Sequence, residues 1–179
     1  VAGLNQREVL YIHAEETEGQ VGNRFNRMKL KNRHLIRLLP AMGAIAEGFS
    51  YVDIMRTFRP VAVVLDSVSK LVGKDYDMGV TLCESMKLWS VEYDSPSFII
   101  CHVNKDGDLA GLKAMEHAVD SCHMLSGENR GQRLLTSMKN RFGVSYDLIM
   151  KMNDTGLELV QEIRDDIDLE EEDEGEDDE

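Results

Sequence analysis

The run Val61-Ala62-Val63-Val64-Leu65 restricts the fold more than any other feature, because five consecutive apolar residues stop abruptly at Asp66-Ser67. A strand with one wet face alternates apolar and polar side chains. A strand apolar on both faces has to be covered on both, as in the interior of a parallel sheet with helices on each side. The sequence therefore predicts that Asp66 closes a central strand. In open parallel sheets, ligands bind beyond the carboxyl ends of the strands, so the residues that terminate the other strands become the candidate site.

Those strands can be read along the chain. Glu8 to Ala14 is rich in Val, Leu, Tyr and Ile and is followed by Glu15-Glu16; Leu35 to Leu39 is stopped by Pro40; Ser97 to Val103 runs into His102, Asn104, Lys105 and Asp106. Thr17 with Gln20 three residues on spells a capping box, which predicts a helix over 18–30. Ser50 and Asp53 repeat that signal ahead of a short helix that Pro60 must end. A polar loop through Gly73, Lys74 and Asp75 precedes a predicted helix over 79–93, carrying Val80, Leu82, Met86, Leu88 and Trp89, and a short helix is predicted over 113–119. Beyond it come four short strands, predicted over 121–125, 133–139, 146–152 and 157–160. Turns at 127–131 and 153–156 make them hairpins. The fold class is α/β: a mostly parallel central sheet flanked by helices, with an antiparallel hairpin edge.

Composition sets the boundaries. At 179 residues and 42% hydrophobic the chain can bury one core. The formal net charge of -13 is concentrated at one end, with 12 acids and no base from Asp165 to Glu179, so everything before is close to neutral. We read 1–163 as the folded core and 164–179 as an acidic tail expected to be disordered, solubilising or, less simply, a mimic of DNA charge. The overall acidity therefore does not exclude a nucleic-acid partner. Cys83, Cys101 and Cys122 are odd in number and unpaired in spacing, which argues for a reducing, cytoplasmic setting. No apolar run approaches the ~20 residues that span a bilayer, so no membrane association is expected.

The strand ends carry the chemistry. Hydrolysis of a nucleoside triphosphate needs a carboxylate to orient water, an acid near magnesium and a polar group at the terminal phosphate. Glu15 or Glu16, Asp66 and His102 fill those roles, and a Lys and an Arg in Lys139-Asn140-Arg141-Phe142-Gly143 suit phosphate oxygens. No G-x-x-x-x-G-K-[ST] occurs in these residues, so the phosphate loop is expected upstream of Val1 or to have been lost. Other constellations carry less. Ser67-Val68-Ser69-Lys70 has the S-x-x-K spacing of penicillin-recognising hydrolases without its companion words. Cys101-His102 and Cys122-His123 are strand neighbours that point to opposite faces and cannot chelate zinc as units.

From about Glu8 to Val160 the chain resembles the bacterial RadA (Sms) family of DNA-repair ATPases with a RecA-fold motor. The shared words are Leu10-Tyr11-Ile12-His13-Ala14-Glu15-Glu16-Thr17, Leu65-Asp66-Ser67, His102-Val103-Asn104-Lys105-Asp106-Gly107, Ala110-Gly111-Leu112-Lys113, Glu116-His117-Ala118-Val119-Asp120 and Lys139-Asn140-Arg141-Phe142-Gly143. The resemblance implies that Glu15 is the hydrolytic carboxylate and that Asp66, with Ser67, binds the nucleotide and holds Mg2+ through water. It implies a phosphate-sensing place for His102, and Lys139 and Arg141 reaching the ATP of a neighbouring subunit. By the same analogy Lys70, Lys74, Lys105 and Lys113, on loops after Asp66 and His102, contact single-stranded or branched DNA. The implied whole is a homo-oligomeric, hexameric ring that drives branch migration in recombination and repair, with a recombinase or replicative helicase as possible partner. The alternative is a non-catalytic RecA-fold partner subunit or regulator without its own phosphate loop. The family's zinc module, Walker A segment and Lon-protease-like domain have no counterpart in these 179 residues, and Leu112 stands where the family commonly has proline.

Overall fold

A computed structural model describes residues 8–41, 51–102, 109–127 and 131–164. The elements in chain order are β1 (Val9–His13), α1 (Glu18–Arg27), β2 (Ile36–Pro40), α2 (Tyr51–Phe58), β3 (Ala62–Asp66), α3 (Val68–Val72), α4 (Tyr76–Tyr93), β4 (Ser97–Ile100), α5 (Leu109–Ala118), β5 (Ser121–Gly127), β6 (Gln132–Asn140), β7 (Tyr146–Asn153) and β8 (Gly156–Arg164). Ser50, Lys105, the 128–130 turn and the acidic tail from 165 lie outside the described residues.

The first four strands form a wholly parallel sheet in the order β2-β1-β3-β4. Register pairs Leu10 with Val63 and Ile12 with Leu65, so these four side chains share one face, and none is more than 1% exposed. Against them pack Val68, Val72, Cys83, Met86 and Trp89 from α3 and α4. Each such side chain contributes roughly 1.5–3 kcal/mol by leaving water. The opposite face carries Tyr11 and is covered by α1, where Val21 and Phe25, four residues apart, form the buried stripe. The Phe25 ring meets Tyr11 edge-on with centroids 5.6 Å apart. Covering both faces is what the all-apolar β3 demanded.

Local chemistry fixes the helix ends. The Thr17 capping box forms in both directions, its hydroxyl accepting from the Gln20 amide while the Gln20 side chain accepts from the Thr17 amide. α1 stops at Arg27, short of the expected 30, because the chain turns through Lys29 at φ 52. The stretch read as a loop after Asp66 instead folds as α3, capped by Ser67, and α4 begins at Tyr76, capped by Asp75. Gly73 separates the two at φ 58, a conformation that costs glycine little.

The remaining strands form a separate antiparallel meander, β5-β6-β7-β8. Leu125, Leu135 and Leu148 are successive register partners across its first three strands. α5 connects the two sheets and seats Met115 on Gly79 of α4, where the sulfur would lie 3.0 Å from an added Cβ.

Candidate nucleotide site at the strand ends

Register places His13 beside Asp66, so the carboxyl ends of β1 and β3 are level and both feed one edge. Asp66 accepts a short hydrogen bond from the Tyr11 hydroxyl. Arg24, reaching down from α1, forms an ion pair with Glu16, stands 3.6 Å from the same Asp66 oxygen and donates to the Tyr11 hydroxyl at 3.4 Å. Burial, together with the Asp66 carboxylate, pushes the Tyr11 phenol far above its usual range. The phenol therefore stays protonated and continues to donate.

Glu15 and Glu16 diverge. Glu16 is neutralised by Arg24 and its carbonyl meets His13 Nδ1 at 2.8 Å. Glu15 turns the other way: one oxygen accepts from the Ser67 hydroxyl at 3.0 Å and the other lies 3.3 Å from His102 Nε2. Ser67 is fully buried and also caps α3, accepting from the Lys70 amide at 3.4 Å. The next serine on α3 completes the arrangement, since the Ser69 hydroxyl accepts from the His102 amide at 2.7 Å and donates to the Cys101 sulfur at 3.4 Å. The short helix α3 thus anchors both Glu15 and the end of β4.

Of the residues expected at the site, Glu15, Asp66, Ser67 and His102 are brought together on this edge. Lys70, Lys74 and Lys113 are exposed, on α3, on the loop after it and on α5 respectively, while Lys105 lies outside the described residues. Lys139 and Arg141 stand elsewhere, at the end of β6. The Lys139 ammonium donates to the carbonyls of Glu116 and Val119, both at 2.7 Å, and of His117 at 3.3 Å. Arg141 pairs with Asp120 at 3.0 Å, and Lys87 reaches the same carboxylate oxygen at 2.6 Å. The Lys87 hydrogen bond, with Arg141 beside it, holds the Asp120 carboxyl below the usual range. Phe142, next in the chain, is 82% exposed.

Tyr11 and Arg24 were not singled out from sequence. Their signal was parity: Tyr11 is two residues before His13, the register partner of Asp66, and Arg24 is three after the buried Val21. It becomes legible only once the strand register is known.

The donors on the edge are hard oxygens: two carboxylates, Glu15 and Asp66, and a hydroxyl. That set suits Mg2+, which takes one or two protein carboxylates and completes its octahedron with phosphate oxygens and water. Among the described residues no group of three or more His, Cys, Asp or Glu could cage a metal unaided.

No protein-family model matches the chain. Proteins named DNA repair protein RadA do, among them those of three bacteria. That of Treponema pallidum is 29% identical over 170 residues, covering 90% of this chain and 36% of the relative. That of Halalkalibacterium halodurans is 32% identical over 170 residues, covering 89% and 36%, and that of Pseudomonas aeruginosa 32% over 163 residues, covering 84% and 34%. The chain is a homologue of RadA proteins. It spans about a third of the length of these RadA relatives, while the matches take in about nine-tenths of the chain itself. Among the described residues no helix is long and apolar enough to cross a membrane.

Proposed function

We propose that this chain is the nucleotide-hydrolysing core of a RadA-like DNA-repair motor, a DNA-dependent ATPase working at the subunit interfaces of a hexameric ring. The observation that carries the reading is the convergence of Glu15, Asp66, Ser67 and His102 on one sheet edge, with Glu15 held between the Ser67 hydroxyl and His102. In this reading Glu15 orients and deprotonates the attacking water, because its neighbours fix both oxygens while Glu16, already paired with Arg24, is unsuited to accept a proton. Asp66 would hold Mg2+, which supplies charge neutralisation for the phosphate oxygens when bound. Tyr11 and Arg24 keep the Asp66 carboxylate in one orientation. His102, 54% exposed, faces the place a terminal phosphate would take.

A site of this kind also needs a phosphate cradle, and the described structure offers an edge for one. β4 is the last strand of the parallel sheet, and its Phe98 and Ile100 are exposed. We infer that a segment or subunit carrying a glycine-rich loop supplies the β- and γ-phosphate contacts there. Arg141, half exposed, is the cation available to a nucleotide in a neighbouring protomer. Lys70, Lys74, Lys105 and Lys113 are the proposed contacts to single-stranded or branched DNA. A second reading, a non-catalytic subunit that lends Arg141 to an active neighbour, draws on the half-exposed guanidinium beside Asp120.

The test is DNA-stimulated phosphate release by the chain alone and mixed with a RadA relative that carries a phosphate loop. Glu15→Gln is expected to lower turnover by about 10²–10⁴-fold while MgATP binding persists. Undiminished turnover in Glu15→Gln removes Glu15 from the mechanism. Stimulation of the relative without turnover by the chain selects the second reading.

A further inference from the structure

Positive charge is as unevenly spread along this chain as negative charge. From Gly19 to Ala46 no acid occurs, the longest such stretch of the sequence, and it holds Arg24, Arg27, Lys29, Lys31, Arg33 and Arg37. Arg24 and Arg37 are neutralised, by Glu16 and by Glu8 respectively. The other four are not. Arg27 donates to the Asp154 carbonyl at 3.3 Å and Arg33 to the Asn26 side-chain oxygen, both uncharged acceptors, and among the described residues no carboxylate pairs with Lys29 or Lys31. The ten residues of α1 carry the chain about 15 Å from the carboxyl to the amino end of the parallel sheet. Residues 27–34, every one of them exposed, therefore form a cationic surface at the end of the sheet away from Glu15 and Asp66. A single cation at a helix carboxyl end is ordinary, but four without a counter-charge repel one another and favour an anion.

The anion with the shortest route belongs to the same chain, since Asp165 to Glu179 holds 12 acids and no base. The turn before β8 rests on the cationic surface, through the Arg27–Asp154 hydrogen bond and the Met28 methyl, 3.9 Å from where a Cβ on Gly156 would stand. β8 runs nine residues from there to Arg164, about 30 Å. Residues 165–179 can span up to about 50 Å, enough to return. We propose that the acidic segment 165–179 docks on the surface formed by Arg27, Lys29, Lys31 and Arg33. Tethering gives it an effective concentration of about a millimolar, which favours it over a separate polyanion. The phosphate backbone of a nucleic acid carries the same sign of charge and competes for the surface. That competition rests on the function proposed above; the docking itself does not.

Zero-length carbodiimide cross-linking of the full chain, read by mass spectrometry, tests the docking without a variant. At about 0.05 M salt, Lys29 and Lys31 should join carboxylates of 165–179 about fivefold or more often than Lys70 and Lys74, which are also exposed, and the excess should fade by about 0.5 M. Equal yields at the four lysines, or an excess that ignores salt, overturn the proposal. Mixing isotope-labelled with unlabelled chains places the partner: links confined to one label support docking within the chain, and mixed-label links overturn it in favour of a second copy. A fluorescent single-stranded oligonucleotide then probes the competition. Loss of the Lys29 and Lys31 links as it binds supports a shared surface, whereas binding that leaves them intact puts DNA elsewhere and overturns the competition. If the double variant Lys29→Gln, Lys31→Gln weakens oligonucleotide binding while the parent chain shows no links to 165–179, nucleic acid is the occupant and the docking is overturned. If the parent chain binds no oligonucleotide, the DNA reading fails while cross-linking still decides the docking.

Discussion

The parallel sheet and the antiparallel meander are held together by different means. In the first, Leu10, Ile12, Val63 and Leu65 are at most 1% exposed, and helices cover both faces of β1. In the second, Ser137 is the one buried residue among the described residues, and Leu125 and Leu159 are 50% and 53% exposed. The ladders of the meander are complete, yet its side chains remain half in water. The stability of the first sheet comes from excluded water, and the second depends on its backbone ladder, on the Lys139 and Asp120 contacts, and on whatever it meets in an assembly. Leu-to-Ala costs should therefore differ sharply between the two.

The largest effect belongs to Leu65→Ala, expected to cost about 2–5 kcal/mol in urea unfolding, against less than about 1 kcal/mol for Leu125→Ala. Comparable losses would break the contrast. Next is Tyr11→Phe, which removes the hydrogen bond to Asp66 and should cost about 1 kcal/mol. Because the folded phenol titrates above the unfolded one, the native state holds its proton longer; this contribution is complete below pH ~10 and falls as pH rises further. The parent and Tyr11→Phe curves should converge on the alkaline side, and parallel curves would mean that Tyr11 is not held as described.

Asp120→Asn tests the brace between α4, α5 and the meander. Its folded carboxyl titrates below the unfolded one, so its contribution exists above pH ~4 and disappears as pH falls through the folded value. With side chains about a third exposed, the gap should be below about 1 kcal/mol at neutral pH and close in acid. The smallest stability changes, within about 0.5 kcal/mol, are expected for Lys70→Ala and Lys74→Ala. Each should nevertheless lower the salt dependence of DNA binding by about one phosphate contact. An unchanged slope would take these lysines off the DNA path.

The parallel sheet was the more legible half in sequence as well. An all-apolar β3, the Thr17 capping box and the Pro40 and Pro60 stops are local signals that need no knowledge of neighbours. The antiparallel strands were equally visible one by one. That they form a sheet of their own was not, because strand order depends on contacts distant in sequence. α3 was missed because Ser67, Ser69 and Lys70 read as loop residues, whereas Ser67 is polar for the sake of a helix cap and Glu15. Of the site, Glu15, Asp66, Ser67 and His102 could be named from their position at strand ends. Arg24 and Tyr11 could not, since which acid a guanidinium meets depends on the angle at which α1 crosses β1. Lys139 shows the converse: a motif located the residue, and only geometry showed what its nitrogen touches.

The capping box at Thr17 has one more consequence. By turning the backbone sharply after β1, it sends two consecutive glutamates down separate roads, one toward a guanidinium and one toward a serine and an imidazole. Identical letters side by side in the sequence thereby become chemically distinct, and exchanging a neighbour of either would alter one acid while leaving its twin untouched.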